Sequence, residues 1–296
     1  QVFRGVHHPG IASACALTIG NFDGVHRGHQ AMLALLHSEA RHRGLPTCVL
    51  TFEPHPRDFF AQLAGKPGLA PPRIATLRDK LGELERCDIE QVVVMRFDAA
   101  FAGQSPQAFI GDVLVAGLAA RYVLVGDDFR FGARRRGDFA MLEQAASRHG
   151  FELARIDTFS RDGVRISSSA VRAALAAGDF RAARELLGRP YFISGHVVHG
   201  RKLGRTIGFP TLNLPIPFER PAVTGVFVVR VHGLASEPVA GVASLGTRPA
   251  VERDGRLLLE VHLFDFDADI YGRLVRVEFL HKLRDEAHFD SIALLT

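Results

Sequence analysis

Two histidines three residues apart, His26 and His29, follow a short turn that carries Asn21, Asp23 and Gly24. Before the turn, the apolar run 15–20 reads as a buried strand. After it, His29, Met32, Leu33 and Leu36 recur at i, i+3, i+4 and i+7, the spacing of an amphipathic helix. Both imidazoles then face the same side of the helix start. Unpaired backbone N–H groups and a partial positive charge gather there, which suits a phosphate, and the rings add donors to the same oxygens. Gly24 and Gly28 leave room for a ligand to approach the backbone. Histidines at a helix start can also serve as caps or packing groups. With neither a Walker A string nor a strand-linked GxGxxG in the chain, the phosphate site is of another kind.

Four further stretches carry chemistry-bearing residues. TFEPHP (51–56) has two prolines that fix an extended loop. GDDFRFG (126–132) sets Asp127 and Asp128 beside Arg130 and two aromatics, a loop that can hold a ribose or a metal or be an ordinary solvated turn. RISSSAVR (165–172) puts three serines at a helix start between Arg165 and Arg172, either as a cap or as a second anion-binding terminus. HGRKLGRTIGFPTLN (199–213) combines Gly200, Gly204 and Gly208 with Arg201, Lys202 and Arg205, a pliant cationic loop whose N–H groups can wrap phosphates. Thr211 and Asn213, two apart on a strand, project to one side and offer hard oxygen ligands suited to Mg²⁺. Glu260 lies in the apolar run LLLEVHLF, where a carboxylate is either a salt-bridge partner or a general base.

The elements that must position these residues differ between the two halves. Up to about residue 188, candidate strands at 15–20, 47–53, 91–97, 122–126 and 151–157 alternate with candidate helices at 28–43, 76–86, 105–118, 138–149, 168–177 and 180–187. That alternation predicts an α/β fold, a doubly wound parallel sheet with helices on both faces. Thr76 with Asp79 resembles a capping box, and Ser105-Pro106 an N-cap followed by proline. Ligands in such sheets sit beyond the carboxyl ends of the strands, so the loops to inspect are 20–27, 53–57, 97–104 and 126–137. After Arg189-Pro190, short alternating runs at 191–198, 224–232, 238–245, 257–264 and 273–281 predict a small antiparallel β-barrel. Helical periodicity returns only after Asp285. The expected domains are 1–186 and 189–296.

At 296 residues the chain can bury two cores. Its 47% hydrophobic and 23% charged content is that of a soluble globular protein. A net charge of +4, with no basic block beyond Arg134–Arg136, does not demand nucleic acid. Of 36 cationic residues, 32 are Arg and 4 are Lys, which favours fork-shaped phosphate contacts or simply reflects genomic composition. Three widely spaced cysteines without CxxC point to free thiols in a reducing compartment. With no leader-like N-terminus and no run of about 18 apolar residues, a cytoplasmic location without membrane contact is expected.

The stretch GNFDGVHRGH resembles the G-x-F-D-x-x-H-x-G-H signature of the HxGH nucleotidyltransferases, which act on the α-phosphate of ATP and release pyrophosphate. With TFEPHP, GDDFRFG and RISSSAVR in that order, it resembles the adenylyltransferase half of bacterial bifunctional FAD synthetases, the riboflavin kinase/FMN adenylyltransferases. By that resemblance Gly20, Asn21, Phe22, Asp23, His26 and His29 contact the phosphates of ATP. Arg165, Ser168 and Ser169 support the phosphate end, and the loop with Asp128, where some members have Asn, serves the adenosine and flavin region.

The string GHVVHGRKLGRTIGFPTLN, followed by GVF (225–227), SLGTRP (244–249), LEVHLFDF and DADIYG, resembles the riboflavin kinase module of the same enzymes. The resemblance implies that Gly204, Arg205, Gly208, Thr211 and Asn213 hold ATP, with Thr211 and Asn213 as Mg²⁺ ligands. Glu260 then deprotonates the ribityl hydroxyl. The implied activity is FMN from riboflavin and ATP, then FAD from FMN and ATP, with Mg²⁺ as cofactor and small molecules as the only partners. Two rivals remain at this stage: an adenylyltransferase for another acceptor with the barrel as a docking domain, and a flavin-binding module without chemistry.

Overall fold

The structure, a computed structural model, describes residues 1–157, 160–161, 164–199, 211–246 and 257–286. Contacts gather the chain into two compact units, residues 1–71 with 80–167, and residues 72–79 with 168–296.

The first unit is built on six strands: β1 (Val2–Arg4), β2 (Cys15–Ile19), β3 (Thr47–Glu53), β4 (Gln91–Arg96), β5 (Ala120–Gly126) and β6 (Glu152–Ile156). They pair in the order β1-β4-β3-β2-β5-β6, and every pairing is parallel. β2 is buried at every residue, as expected of a central parallel strand covered on both faces. Leu17 sits in register between Cys48 of β3 and Val123 of β5. The crossover helices are held at their ends. Asp138 accepts from the Met141 N–H at 3.0 Å to start Phe139–His149, and Gly44 at φ 63° closes Arg27–Arg43 in the left-handed conformation. The order reverses at β2, with β3 and β4 to one side and β5 and β6 to the other. The point where strand order reverses therefore lies between β2 and β5, whose exit loops carry His26 and Asp128, the place where such sheets bind ligands.

Two departures from the sequence reading are instructive. β1 has only three residues, too few to show a period. The helix expected over 105–118 is a single turn, Pro106–Ala108, that widens into a π-helix, Phe109–Gly117. Its buried residues Phe109, Ile110, Val113 and Leu114, and the Leu118 N–H donating to the Val113 carbonyl at 2.9 Å, follow the i→i+5 ladder.

A two-stranded hairpin, β7 (Ser160–Arg161) with β8 (Val164–Arg165), also belongs to the first unit. The second unit is an antiparallel sheet of β9 (Phe192–His196), β10 (Thr211–Ile216), β11 (Gly225–His232), β12 (Val239–Leu245), β13 (Leu257–Leu263) and β14 (Leu274–Arg284). Its order is β10-β13-β12-β11-β14-β9. The Val198 N–H donates to the Asn213 carbonyl at 2.9 Å, so the edge strands meet and the sheet is a nearly closed barrel. Alternation fills the interior, with Phe227, Val229 and Val231 from β11 against Leu259 and Val261 from β13. Helices Ser168–Ala176 and Phe180–Leu187 bury Val171, Leu175, Phe180 and Leu187 in the same core, with the Phe180 ring 5.8 Å from that of Phe227. Among the described residues, no helix is long and apolar enough to cross a membrane.

Candidate active sites

His26 is the N-cap of helix Arg27–Arg43, and its Nδ1 accepts the His29 N–H at 3.3 Å. One donor of the helix tip is thus spent on the cap, and a neutral ring that accepts at Nδ1 carries its proton on Nε2. The two imidazoles stack with centroids 3.7 Å apart and planes at 17°, and Phe22 flanks His29 at 4.9 Å. Sequence reasoning put the rings on one side of the tip, and here they form a single slab. The turn before them is strained. Phe22 and Val25 have φ of 49° and 42°, left-handed values that a β-branched residue rarely takes, and Gly24 has φ 87°. Asp23 and His26 are buried.

Gly28 does something other than what its spacing suggests. A Cβ on Gly28 would meet the Ile166 carbonyl oxygen and His26 Nδ1, both at 3.2 Å; one on Gly20 would meet the Phe22 ring at 3.0 Å. The space beside Gly28 is filled by the protein's own groups, so Gly28 seats the His26 ring and does not leave room for a ligand.

On the other side of the reversal point, Arg165 Nη2 lies 3.4 Å from Asp128 Oδ2, an exposed pair that joins two of the predicted stretches. A Cβ on Gly126 would contact both Asp128 and Met32 of the histidine helix, so the GDD turn stands next to that helix. Ser168 and Ser169 open helix Ser168–Ala176, which groups with the second unit.

In the barrel, Asn213 of β10 lies opposite Glu260 of β13, and Glu260 opposite Ser244 of β12. Thr211 lies opposite His262. Leu212, Leu214, Leu259 and Val261 fill the interior between them. Thr211, Asn213, Ser244 and Glu260 therefore share the side opposite the barrel interior, where Asn213 is buried and Glu260 exposed. Both sides of LLLEVHLF are largely apolar; the burial of Leu259, Val261 and Leu263 decides which one faces inward. The Asn213 Nδ2 donates to the Thr211 carbonyl at 3.4 Å. Gly204, Arg205 and Gly208 lie outside the described residues, as do the turn at Asp254-Gly255 and the segment after Asp285 expected to be helical, from residue 287.

Comparison with known proteins adds to this geometry. Residues 8–170 match the family model of FAD synthetase, and residues 187–296 that of riboflavin kinase. The bifunctional riboflavin kinase/FMN adenylyltransferase of Escherichia coli (strain K12) is 48% identical over 294 residues, 99% of this chain and 92% of the relative. The enzyme of the same name from Pseudomonas fluorescens is 44% identical, over 100% of this chain and 93% of its own. This chain belongs to the bifunctional riboflavin kinase/FMN adenylyltransferase family. A solved structure described as a macrolide-efflux protein from Streptococcus pneumoniae superposes with a TM-score of 0.74 at 28% identity, covering 100% of this chain and 94% of that one.

With family membership in hand, two features that the motif reading passed over become relevant. The first is a chain of phenylalanines on the segments that leave β3, β4 and β5. Phe59 meets Phe97 at 5.6 Å, Phe97 meets Phe101 at 5.6 Å and Phe101 meets Phe109 at 6.1 Å. Phe109 meets Phe131 at 5.4 Å, and Phe131 stacks on Phe129 at 5.6 Å. Edge-to-face and offset contacts of this kind are the preferred packing of aromatic rings. The sequence signal was compositional, 22 phenylalanines and no tryptophan. The second is Lys80, a buried cation beneath the Asn21 turn, whose signal was only that lysine is scarce in this chain.

Proposed function

We propose that this chain phosphorylates riboflavin with ATP to FMN in its second half, and adenylylates FMN with ATP to FAD in its first half with release of pyrophosphate. The observation that carries this is the presence of both family matches in one chain, synthetase before kinase, with little left over. The functional modules are taken as 1–186 and 189–296.

For adenylyl transfer, a phosphate oxygen of FMN forms a bond to the α-phosphorus of ATP as the bond to the β-phosphate breaks. No protein nucleophile is needed. The protein positions two anions and stabilises the charge that moves onto pyrophosphate. His26, through Nε2–H, and His29 serve as donors to the phosphates, with Gly20, Asn21, Phe22 and Asp23 shaping the turn beneath. Arg165, Ser168 and Ser169 support the phosphate end, and Asp128 the nucleoside. The phenylalanine chain offers a surface for the flavin ring system.

For the kinase step, Glu260 takes the proton of the ribityl 5′-hydroxyl. The oxygen then attacks the γ-phosphorus and ADP departs. Gly204, Arg205 and Gly208 belong to the ATP loop. Thr211 and Asn213 supply neutral oxygens on the face that carries Glu260, a donor set that suits Mg²⁺ bound largely through substrate phosphates. No cluster of three or more His, Cys, Asp or Glu side chains able to hold a metal occurs among the described residues, so the ion is best understood as arriving with ATP. When bound, Mg²⁺ neutralises phosphate charge. Free thiols at Cys15, Cys48 and Cys87 support a cytoplasmic setting.

The test is incubation of the whole chain with riboflavin, Mg²⁺ and ATP, with products separated by chromatography. FMN followed by FAD supports the proposal. Riboflavin left untouched while FMN is converted to FAD would confine the chain to adenylyl transfer; neither product would leave a binding module.

A further inference from the structure

By spacing, Met32 belongs to the apolar stripe of helix Arg27–Arg43, yet Leu33 and Leu36 are fully buried while Met32 is half-buried. Its thioether is held in place from β2, where the buried Thr18 hydroxyl donates to Met32 Sδ at 3.2 Å. Its methyl end reaches β5. A Cβ built on Gly126, the last residue of that strand, would lie 3.8 Å from Met32 Cε and 3.6 Å from Asp128 Oδ1. Met32 thus lies across the carboxyl ends of the paired strands β2 and β5, at the point where strand order reverses.

Among the described residues, neither backbone nor packing calls for glycine at position 126. Its φ lies outside the left-handed region, and a methyl there would make only ordinary van der Waals contacts. Glycine weakens a strand and often marks a close approach by a ligand. Here the missing Cβ leaves a slot between the thioether and the Asp128 carboxylate. That carboxylate repels phosphate, so the slot suits an uncharged part of a substrate. Met32 stands three residues beyond His29 on the same helix face, about 4.5 Å further along the axis. With the triphosphate of ATP at His29, the part that reaches Met32 is the nucleoside, and a polarisable thioether packs well on a flat ring.

We infer that Met32 and Gly126 form the slot that seats the base of ATP for adenylyl transfer. This rests on the reading of the first half as an adenylyltransferase. A methionine that only filled space between helix and sheet would be indifferent to nucleotide.

The first measurement treats the whole chain with hydrogen peroxide, which converts thioethers to sulfoxides, and reads Met32, Met95 and Met141 by peptide mass. All three are half-buried, so Met95 and Met141 serve as internal references. Mg-ATP should slow oxidation of Met32 at least about fivefold, and that of the other two less than about twofold. Equal protection of all three, or oxidation of Met32 at an unchanged rate, overturns the inference. The second measurement is FAD formation from FMN and Mg-ATP. Gly126→Ala should fold as the wild type does, yet raise KM for ATP about tenfold or more, the low end of what one methylene is worth in a pocket. Met32→Gln should raise it about fivefold or more, and Met32→Leu, which restores an apolar wall, should recover most of that loss. KM for FMN should stay within about twofold. An unchanged KM for ATP in Gly126→Ala, or equal rises for both substrates, overturns the inference. If Met32 resists peroxide with and without ATP, Gly126→Ala decides. A wild type that makes no FAD from FMN overturns the adenylyltransferase reading itself, whereas protection of Met32 by ATP would still mark a nucleotide slot.

Discussion

The His26 ring has one shown job, the helix cap, and one proposed, donation to phosphate. Nδ1 caps the helix by taking the His29 N–H, and the stacked His29 ring holds the imidazole plane; the proposed donor to phosphate is Nε2–H. Such donors matter most where charge develops, so His29→Ala should lower FAD formation by roughly 10²–10³. The same preparation should still make FMN at the wild-type rate. Glu260→Gln keeps size and removes basicity, and should lower FMN formation by roughly 10²–10⁴ while FMN is still converted to FAD. Both residues could be picked out from the string, because their neighbours are unusual. Lys80 and the phenylalanines could not: each is ordinary in its own segment, and only folding brings Lys80 from residue 80 to the turn at residue 21.

At the scale of elements, Gly28 shows how spacing can mislead. Alanine inside a helix is normally better than glycine by up to about 1 kcal/mol. Here the new methyl would press on the Ile166 carbonyl and the His26 ring at 3.2 Å, and the carbonyl is backbone that cannot simply swing aside. Gly28→Ala should therefore gain no stability and should cost FAD formation roughly tenfold or more, as a misplaced His26 would. The start of helix Leu77–Glu85 offers a pH test. Asp79 accepts from the Thr76 hydroxyl at 2.8 Å, from the Ser194 N–H at 3.3 Å and from the Ser194 hydroxyl. Burial raises its pKa above the usual carboxylate value, and the hydrogen bonds oppose that only in part. A raised folded-state value means the folded chain holds a proton that the unfolded chain has released. The resulting stabilisation is complete below the unfolded value and is lost as pH rises through the folded one. Relative to Asp79→Asn, the wild type should therefore lose melting temperature as pH rises from about 4 to about 7; parallel curves would contradict the assignment. The Thr76–Asp79 pair was visible in the sequence, whereas its third partner, 115 residues further on, was not. The π-helix was also hidden, because an apolar stretch reads the same at either pitch.

For the molecule as a whole, the broad plan was accessible from pattern: strand–helix alternation giving one parallel sheet, then closely spaced alternating runs giving one antiparallel barrel. What pattern could not supply was strand order, and order is what brings the β2 and β5 loops together. Cross-strand register likewise sets Asn213 beside Glu260, which periodicity in a doubly apolar strand left open. We propose above all that one chain holds two chemically independent phosphate-transfer sites in series. A time course with riboflavin, ATP and Mg²⁺ on His29→Ala and Glu260→Gln, run separately and then mixed, tests it most directly. We expect the first variant to stop at FMN, the second to leave riboflavin unconverted, and the mixture to restore FAD. Loss of both steps in either variant, or no FAD from the mixture, would contradict it.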